Sequence, residues 1–210
     1  MNPDASPWSA LQRIESWAGE VRVNLIRLAA IIAFYGYHLL NYFVIRDANV
    51  TPDYHAAVTA LMLLWSCAVF LLHLCLSRRY VPPWLKFAAT VWDVLMVTGL
   101  LMLPDGPRSP LAVLYFLVIA AAPLRLSLPL VYVATLASMG GYLIALGYYA
   151  FVLVGYEQYY ANPAVRIPRT QEIIFLLALG AAGLLAGQVV RQIRRLEQGY
   201  PVTAAPTSET

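Results

Sequence analysis

Six apolar stretches govern what this chain can become. They cover about 23–45, 55–76, 84–103, 109–124, 127–154 and 171–190, with short polar breaks between them. A helix needs about 20 predominantly apolar residues to cross the hydrocarbon core of a bilayer, and five of the six stretches reach that length. The composition agrees: 60% of residues are hydrophobic and 12% are charged, whereas roughly a quarter are charged in a soluble domain. The expected fold is all-α, a polytopic membrane bundle of six transmembrane helices preceded by a short amphipathic interfacial helix.

That interfacial segment falls within 1–22. Ser6-Pro7 offers an N-cap followed by proline at the first helical position. Trp8, Leu11, Ile14, Trp17 and Val21 then recur every three or four residues, with Gln12, Arg13, Glu15 and Glu20 between them. This pattern suits a helix lying on the membrane with its tryptophans at headgroup depth; a helix packed on a soluble partner would show the same periodicity. No basic stretch, apolar core and small-residue cleavage site follow one another at the start, so no removable signal peptide is expected. The Ala-, Pro-, Thr- and Ser-rich stretch over 196–210 is expected to be disordered.

Lysines and arginines near the helix ends set the topology. With both termini cytoplasmic, ten basic residues from Arg13 to Arg195 fall inside, and only Arg46, Arg108, Arg166 and Arg169 fall outside. Tyrosines such as Tyr42, Tyr54, Tyr149 and Tyr159 then form an aromatic belt at the outer interface. The net charge of +3 comes from arginines standing singly beside apolar runs, so no nucleic-acid partner is expected. Cys67 and Cys75 lie about 12 Å apart along one helix, too far for a disulfide. No phosphate-binding glycine loop, nucleophile elbow or pair of catalytic carboxylates occurs, and the chain is not expected to be an enzyme.

The polar residues inside the apolar stretches are the candidates for function, because such groups are costly in hydrocarbon and turn toward the bundle interior. Asp93 is the sharpest of them. His38 and Asn41 on the first stretch are its expected partners, in either a proton-coupled or ligand-sensitive site or a structural hydrogen bond. Arg27 is placed near enough to the inner end to reach the headgroups by snorkelling. His38 and His55 are placed about 10 Å apart in depth, and His73 lies farther still, so no metal site is expected. Helix 5 is expected to tilt or kink near Gly140-Gly141, and Thr170 to cap helix 6. Gly183 and Gly187, four residues apart, allow close helix approach either within the bundle or in a homodimer.

The chain must reverse between helices 3 and 4, where Leu103-Pro104-Asp105-Gly106-Pro107-Arg108-Ser109-Pro110 carries three prolines and a glycine. This turn, the six crossings and a short helix 4 ending at Arg125 resemble the membrane-embedded sensor module of bacterial histidine kinases of the RegB redox-responsive type. The family's outer loop reads Gly-Gly-x-x-Asn-Pro-Phe. Gly106 and Pro110 are kept here, Ser109 stands for Asn, Leu111 for Phe and Asp105 for the first Gly. The resemblance implies a bacterial inner membrane location and a quinone bound at the loop, with Asp105, Gly106, Ser109 and Pro110 as candidate ligand-binding residues. Such kinases continue past the last crossing into a dimerisation helix with a phospho-accepting histidine; this sequence ends first, so kinase activity is not expected. The expected function is an integral membrane sensor of a quinone or another lipophilic or outer-face ligand, signalling through a separate partner at Arg191 to Glu197. The alternative is a small transporter or an accessory subunit of a membrane complex.

Overall fold

The computed structural model describes residues 7–46, 51–78, 82–103, 106–163 and 165–199. No strand occurs among those residues, and seven α-helices are found among them: α1 (Pro7–Leu40), α2 (Pro52–Ser77), α3 (Leu85–Leu101), α4 (Leu114–Ala121), α5 (Leu128–Tyr148), α6 (Tyr156–Ala161) and α7 (Arg169–Gly199). Four helical spans are long and apolar enough to cross a membrane: Trp17–Ile45, Pro52–Ser77, Leu128–Leu153 and Arg169–Leu196. Their outward faces are apolar. Leu25, Ile32, Leu63, Phe70, Ile144 and Leu185 are all exposed, as expected of helices solvated by lipid.

Local chemistry explains the boundaries. One unbroken helix covers both the amphipathic segment and the first apolar stretch, since nothing stronger than Gly19 interrupts it before Leu40. It ends in a π-helical segment, Asn41–Ile45. Thr51 caps α2 by accepting a hydrogen bond from Tyr54 N at 3.2 Å, with Pro52 at the first helical position. α7 starts two residues earlier than Thr170 suggests: the amides of Gln171 and Glu172 donate to Pro168 O, and Thr170 is simply its second residue. It also runs past 190 to Gly199, because the Arg- and Gln-rich stretch after the apolar core still favours helix. The capping role of Ser6, the residues Arg79 and Tyr80, and the sequence beyond Gly199 lie outside the described residues.

Proline breaks the fourth stretch into pieces. A 3-10 turn at Pro110–Val113, α4, and a second 3-10 turn at Ala122–Arg125 follow one another. Eight α residues at about 1.5 Å and eight 3-10 residues at about 2.0 Å give roughly 28 Å. The tighter helix thus lengthens a short segment.

α3 and α5 occupy the centre, with α2 and α1 on one flank and α7 and α4 on the other. Close approach explains the central pair. A Cβ on Gly141 would lie 2.5 Å from Thr98 Oγ1 and 3.0 Å from Tyr115 OH, so only glycine lets α5 sit this tightly on α3. Gly141 therefore serves packing, and the departure from α geometry in that helix falls instead in the π segment Tyr149–Leu153. Gly183 is used in the same way: a Cβ there would overlap the Thr135 side chain, so the small-residue face of α7 is occupied by α5 within the chain.

The bundle has two ends. Trp17 donates to Leu76 O at 3.0 Å, and Arg194 donates to Leu126 O at 2.8 Å, which gathers the beginning of α1, the end of α2, the 122–126 turn and the end of α7 at a proximal end. The π segments, α6 and the 106–110 turn form the distal end.

Candidate functional site, a buried charged centre near the proximal end

Glu20, Asn24 and Arg27 are spaced by four and three residues and share one face of α1. All three are buried. Gly19 lets this face come close, since a Cβ on it would lie 2.7 Å from the carbonyl oxygen of Leu124. Glu20 Oε2 then pairs with Arg125 Nη2 at 2.9 Å. Arg125 Nη1 also donates to Thr90 Oγ1 at 2.6 Å and to Lys86 O at 3.0 Å, which ties the 122–125 turn to α3.

Two turns farther along α1, Arg27 Nε donates to Asp93 Oδ2 at 2.6 Å. Trp65 Nε1 of α2 donates to Asp93 Oδ1 at 3.2 Å. Both carboxylate oxygens are thus satisfied, as a buried charge requires. Arg27 Nη2 also lies 2.6 Å from Oδ2, but its own N–H groups find no hydrogen-bond acceptor, and neither does Asn24 find a donor for Oδ1. The centre holds two guanidinium groups and two carboxylates, so its formal charge is zero.

Arg27 has to reach because α1 stands away from α3 and from the body of α4, leaning on α2 and the 122–125 turn instead. The gap is a cavity of about 40 Å³ floored by Arg27, Asp93 and Trp65, with Ile26 and Ala30 of α1 facing Leu117 and Val118 of α4. Those four walls are half-buried or exposed, so the cavity opens sideways between α1 and α4. That volume admits a few waters or the polar oxygen of a larger molecule, but not a ring. A second cavity, about 330 Å³, lies at the proximal end between Gly19 and Arg22 of α1, Leu124 and Leu126 of the turn, and Val189 and Ile193 of α7.

Of the intramembrane site proposed from sequence, Asp93, His38 and Asn41, Asp93 alone joins this centre. His38 and Asn41 lie at the distal end, where His38 Nε2 meets His55 Nδ1 at 3.0 Å. That contact corrects the expected separation of the two histidines: α2 begins at Pro52, which places His55 a full turn inside the helix, and the π segment changes the rise of α1 beside it. Arg27 is likewise not a snorkelling residue but a buried ion-pair partner. Glu20, Trp65 and Arg125 were missed altogether. The one available signal was the 20-24-27 spacing, which aligns an acid, an amide and a cation on a single face.

The distal turn is internally satisfied where it is described; Asp105 lies outside the described residues. Gly106 is buried with φ +54°, and a Cβ there would lie 2.5 Å from the Tyr149 ring. Its amide donates to Leu103 O at 2.8 Å and its carbonyl accepts from Ser109 N at 3.0 Å. Ser109 caps the following 3-10 turn by accepting from Leu111 N at 3.3 Å, with Pro110 as the first residue of that turn. Arg108 donates to Arg166 O at 3.0 Å. Among the described residues no group of three or more His, Cys, Asp and Glu side chains is arranged to hold a metal ion. No protein-family model matches the chain, and no curated protein or solved structure matches it either.

Proposed function

We propose that the chain is a six-crossing, sensor-like membrane protein with both termini cytoplasmic, which takes a lipophilic ligand from the bilayer and passes the change to a separate partner at its proximal, cytoplasmic end. α3 at about 26 Å and the 110–125 segment at about 28 Å come close to the thickness of the hydrocarbon core, which supports counting them as the third and fourth crossings. The start of α1 remains amphipathic and suits the cytoplasmic interface.

One observation carries the reading. α1 is held to α3 and to the 122–125 turn by two buried ion pairs, the first of them flooring a cavity that opens sideways between α1 and α4, and its close helix contact is with α2 instead. Ion pairs have discrete made and broken states, whereas a packed core resists sliding. A ligand that brings a neutral oxygen acceptor, such as a quinone carbonyl, would meet the unused N–H groups of Arg27 while its body lies between Ile26 and Leu117. Competition for Arg27 then loosens α1 from Asp93. The shift travels one and two turns to Asn24 and Glu20, and so to the cavity that Gly19 and Arg22 share with Val189 and Ile193 of α7.

The test is tryptophan fluorescence in nanodiscs titrated with decylubiquinone, the share of Trp65 among the five tryptophans being taken by difference from Trp65→Phe. Saturable quenching, lost in Trp65→Phe and in Leu117→Phe, is expected; the latter crowds the mouth from the lipid side without touching a charged group and adds no indole. Quenching that rises linearly with quinone and is the same in Leu117→Phe would reflect partitioning alone and refute the site.

A further inference from the structure

A separate cluster of titratable side chains lies at the distal end. His38 and His55, both half-buried, face each other with Nε2 and Nδ1 3.0 Å apart and rings within 14° of parallel. At that separation one nitrogen must carry a hydrogen and the other a lone pair, because two N–H groups would collide and two lone pairs would repel. Tyr42 covers His55 at 3.9 Å, parallel to within 2°. Tyr54 meets His38 edge-on at 5.7 Å, and Tyr35 stacks on it at 6.2 Å. These three tyrosines are the titratable groups facing the pair from α1, the π segment and α2. Asp53 in the first turn of α2 and Arg46 after the π segment are the charged residues nearest in sequence, and both are exposed. No carboxylate hydrogen-bonds either ring among the described residues, and no third metal ligand joins them.

We propose that His38 and His55 form a binding site for one excess proton from the aqueous phase at the distal end, and that their contact clasps α1 to α2 until a second proton releases it. In the neutral pair one N–H bridges the rings, and a single ring-nitrogen lone pair remains, on His38 Nδ1 or His55 Nε2 according to tautomer. The first proton goes there. The bridge survives as a charge-assisted hydrogen bond, and the cation is spread beside the Tyr42 face. A second proton can bind only on the bridging acceptor. It sets N–H against N–H between two like charges, so the rings must part. A lone histidine could not do this, since its protonation leaves no facing partner to repel.

The full chain, labelled with ¹⁵N-histidine in nanodiscs, tests the assignment through the ring-nitrogen shifts between about pH 8 and about pH 4. His73, exposed near the opposite end of α2, serves as the internal reference. The pair should titrate in two steps separated by more than about one pH unit, with the coupling between the facing nitrogens kept through the first step and lost at the second. In His38→Gln, the two steps should collapse to one at His55. A single unsplit step for both histidines in the wild-type chain would overturn the proposal, as would submicromolar zinc binding that requires both rings, which would reassign the site to a metal.

Discussion

Removing one partner of the Arg27–Asp93 pair should cost more than removing both. At 2.6 Å and an effective dielectric of about 20, the direct attraction is about 6 kcal/mol, most of it offset by the desolvation of two ions. The net worth of the pair is therefore small, but a survivor is expensive: an uncompensated buried charge costs about 3–5 kcal/mol. Asp93→Leu leaves the Arg27 guanidinium stranded and also deprives Trp65 Nε1 of its acceptor. Arg27→Met leaves the Asp93 carboxylate with Trp65 alone. In Arg27→Met/Asp93→Leu both charges are gone and only the indole N–H is unsatisfied, at about 1–3 kcal/mol. The singles should sum to about 6–10 kcal/mol and the double should fall well below that sum, a coupling of several kcal/mol. Reversible unfolding of the four proteins in mixed micelles with increasing sodium dodecyl sulfate measures it. Additive losses would mean that the two side chains do not share an environment, and the charged centre described above would be wrong.

Paired glycine substitutions separate backbone strain from crowding. Gly106→Ala should cost about 1–2 kcal/mol for its left-handed φ plus the displacement of the Tyr149 ring, whereas in a Tyr149→Ala background the same substitution should show the backbone cost alone; equal losses in thermal unfolding would contradict the contact. Gly141→Ala should destabilise by a few kcal/mol through its clash with Thr98 and Tyr115, while its neighbour Gly140→Ala, with nothing within 4 Å, should be neutral or stabilising by up to about 1 kcal/mol. Gly19→Val should force α1 off the Leu124 carbonyl and break the Glu20–Arg125 pair; an Arg125→Gln change made in that background should then add less than it does in the wild-type chain.

Much of the fold was legible along the chain, because helix formation in lipid depends on local facts: where twenty apolar residues run together, where proline removes an amide, where a threonine stands before Pro52. The broken shape of 110–125 follows from Pro110 and Pro123 on the same grounds. Asp93 was legible as well, since a carboxylate in an apolar stretch announces itself. Its partners were not. Depth estimated from helix rise pointed to His38 and Asn41, and the error came from treating each apolar stretch as a straight rod starting at its first apolar residue. α1 begins well before its apolar stretch, α2 begins at Pro52, and the π segment changes the rise between them, so a few residues of offset moved each partner by a turn or more.

By itself, then, the sequence determined the class of fold, the helices and most of their ends, because spacing, capping and hydrophobic length act between neighbours. Only the tertiary structure decided which polar groups meet. Arg27 finds Asp93 across sixty-six positions of chain, Glu20 finds Arg125 and His38 finds His55 because α1 leans on α2 and on the 122–125 turn while standing clear of α3 and α4. That tilt is set by Gly19 at one contact and by a long arginine filling the gap at another. A charge in a low-dielectric interior takes the best partner within reach, and reach is a property of the packed bundle.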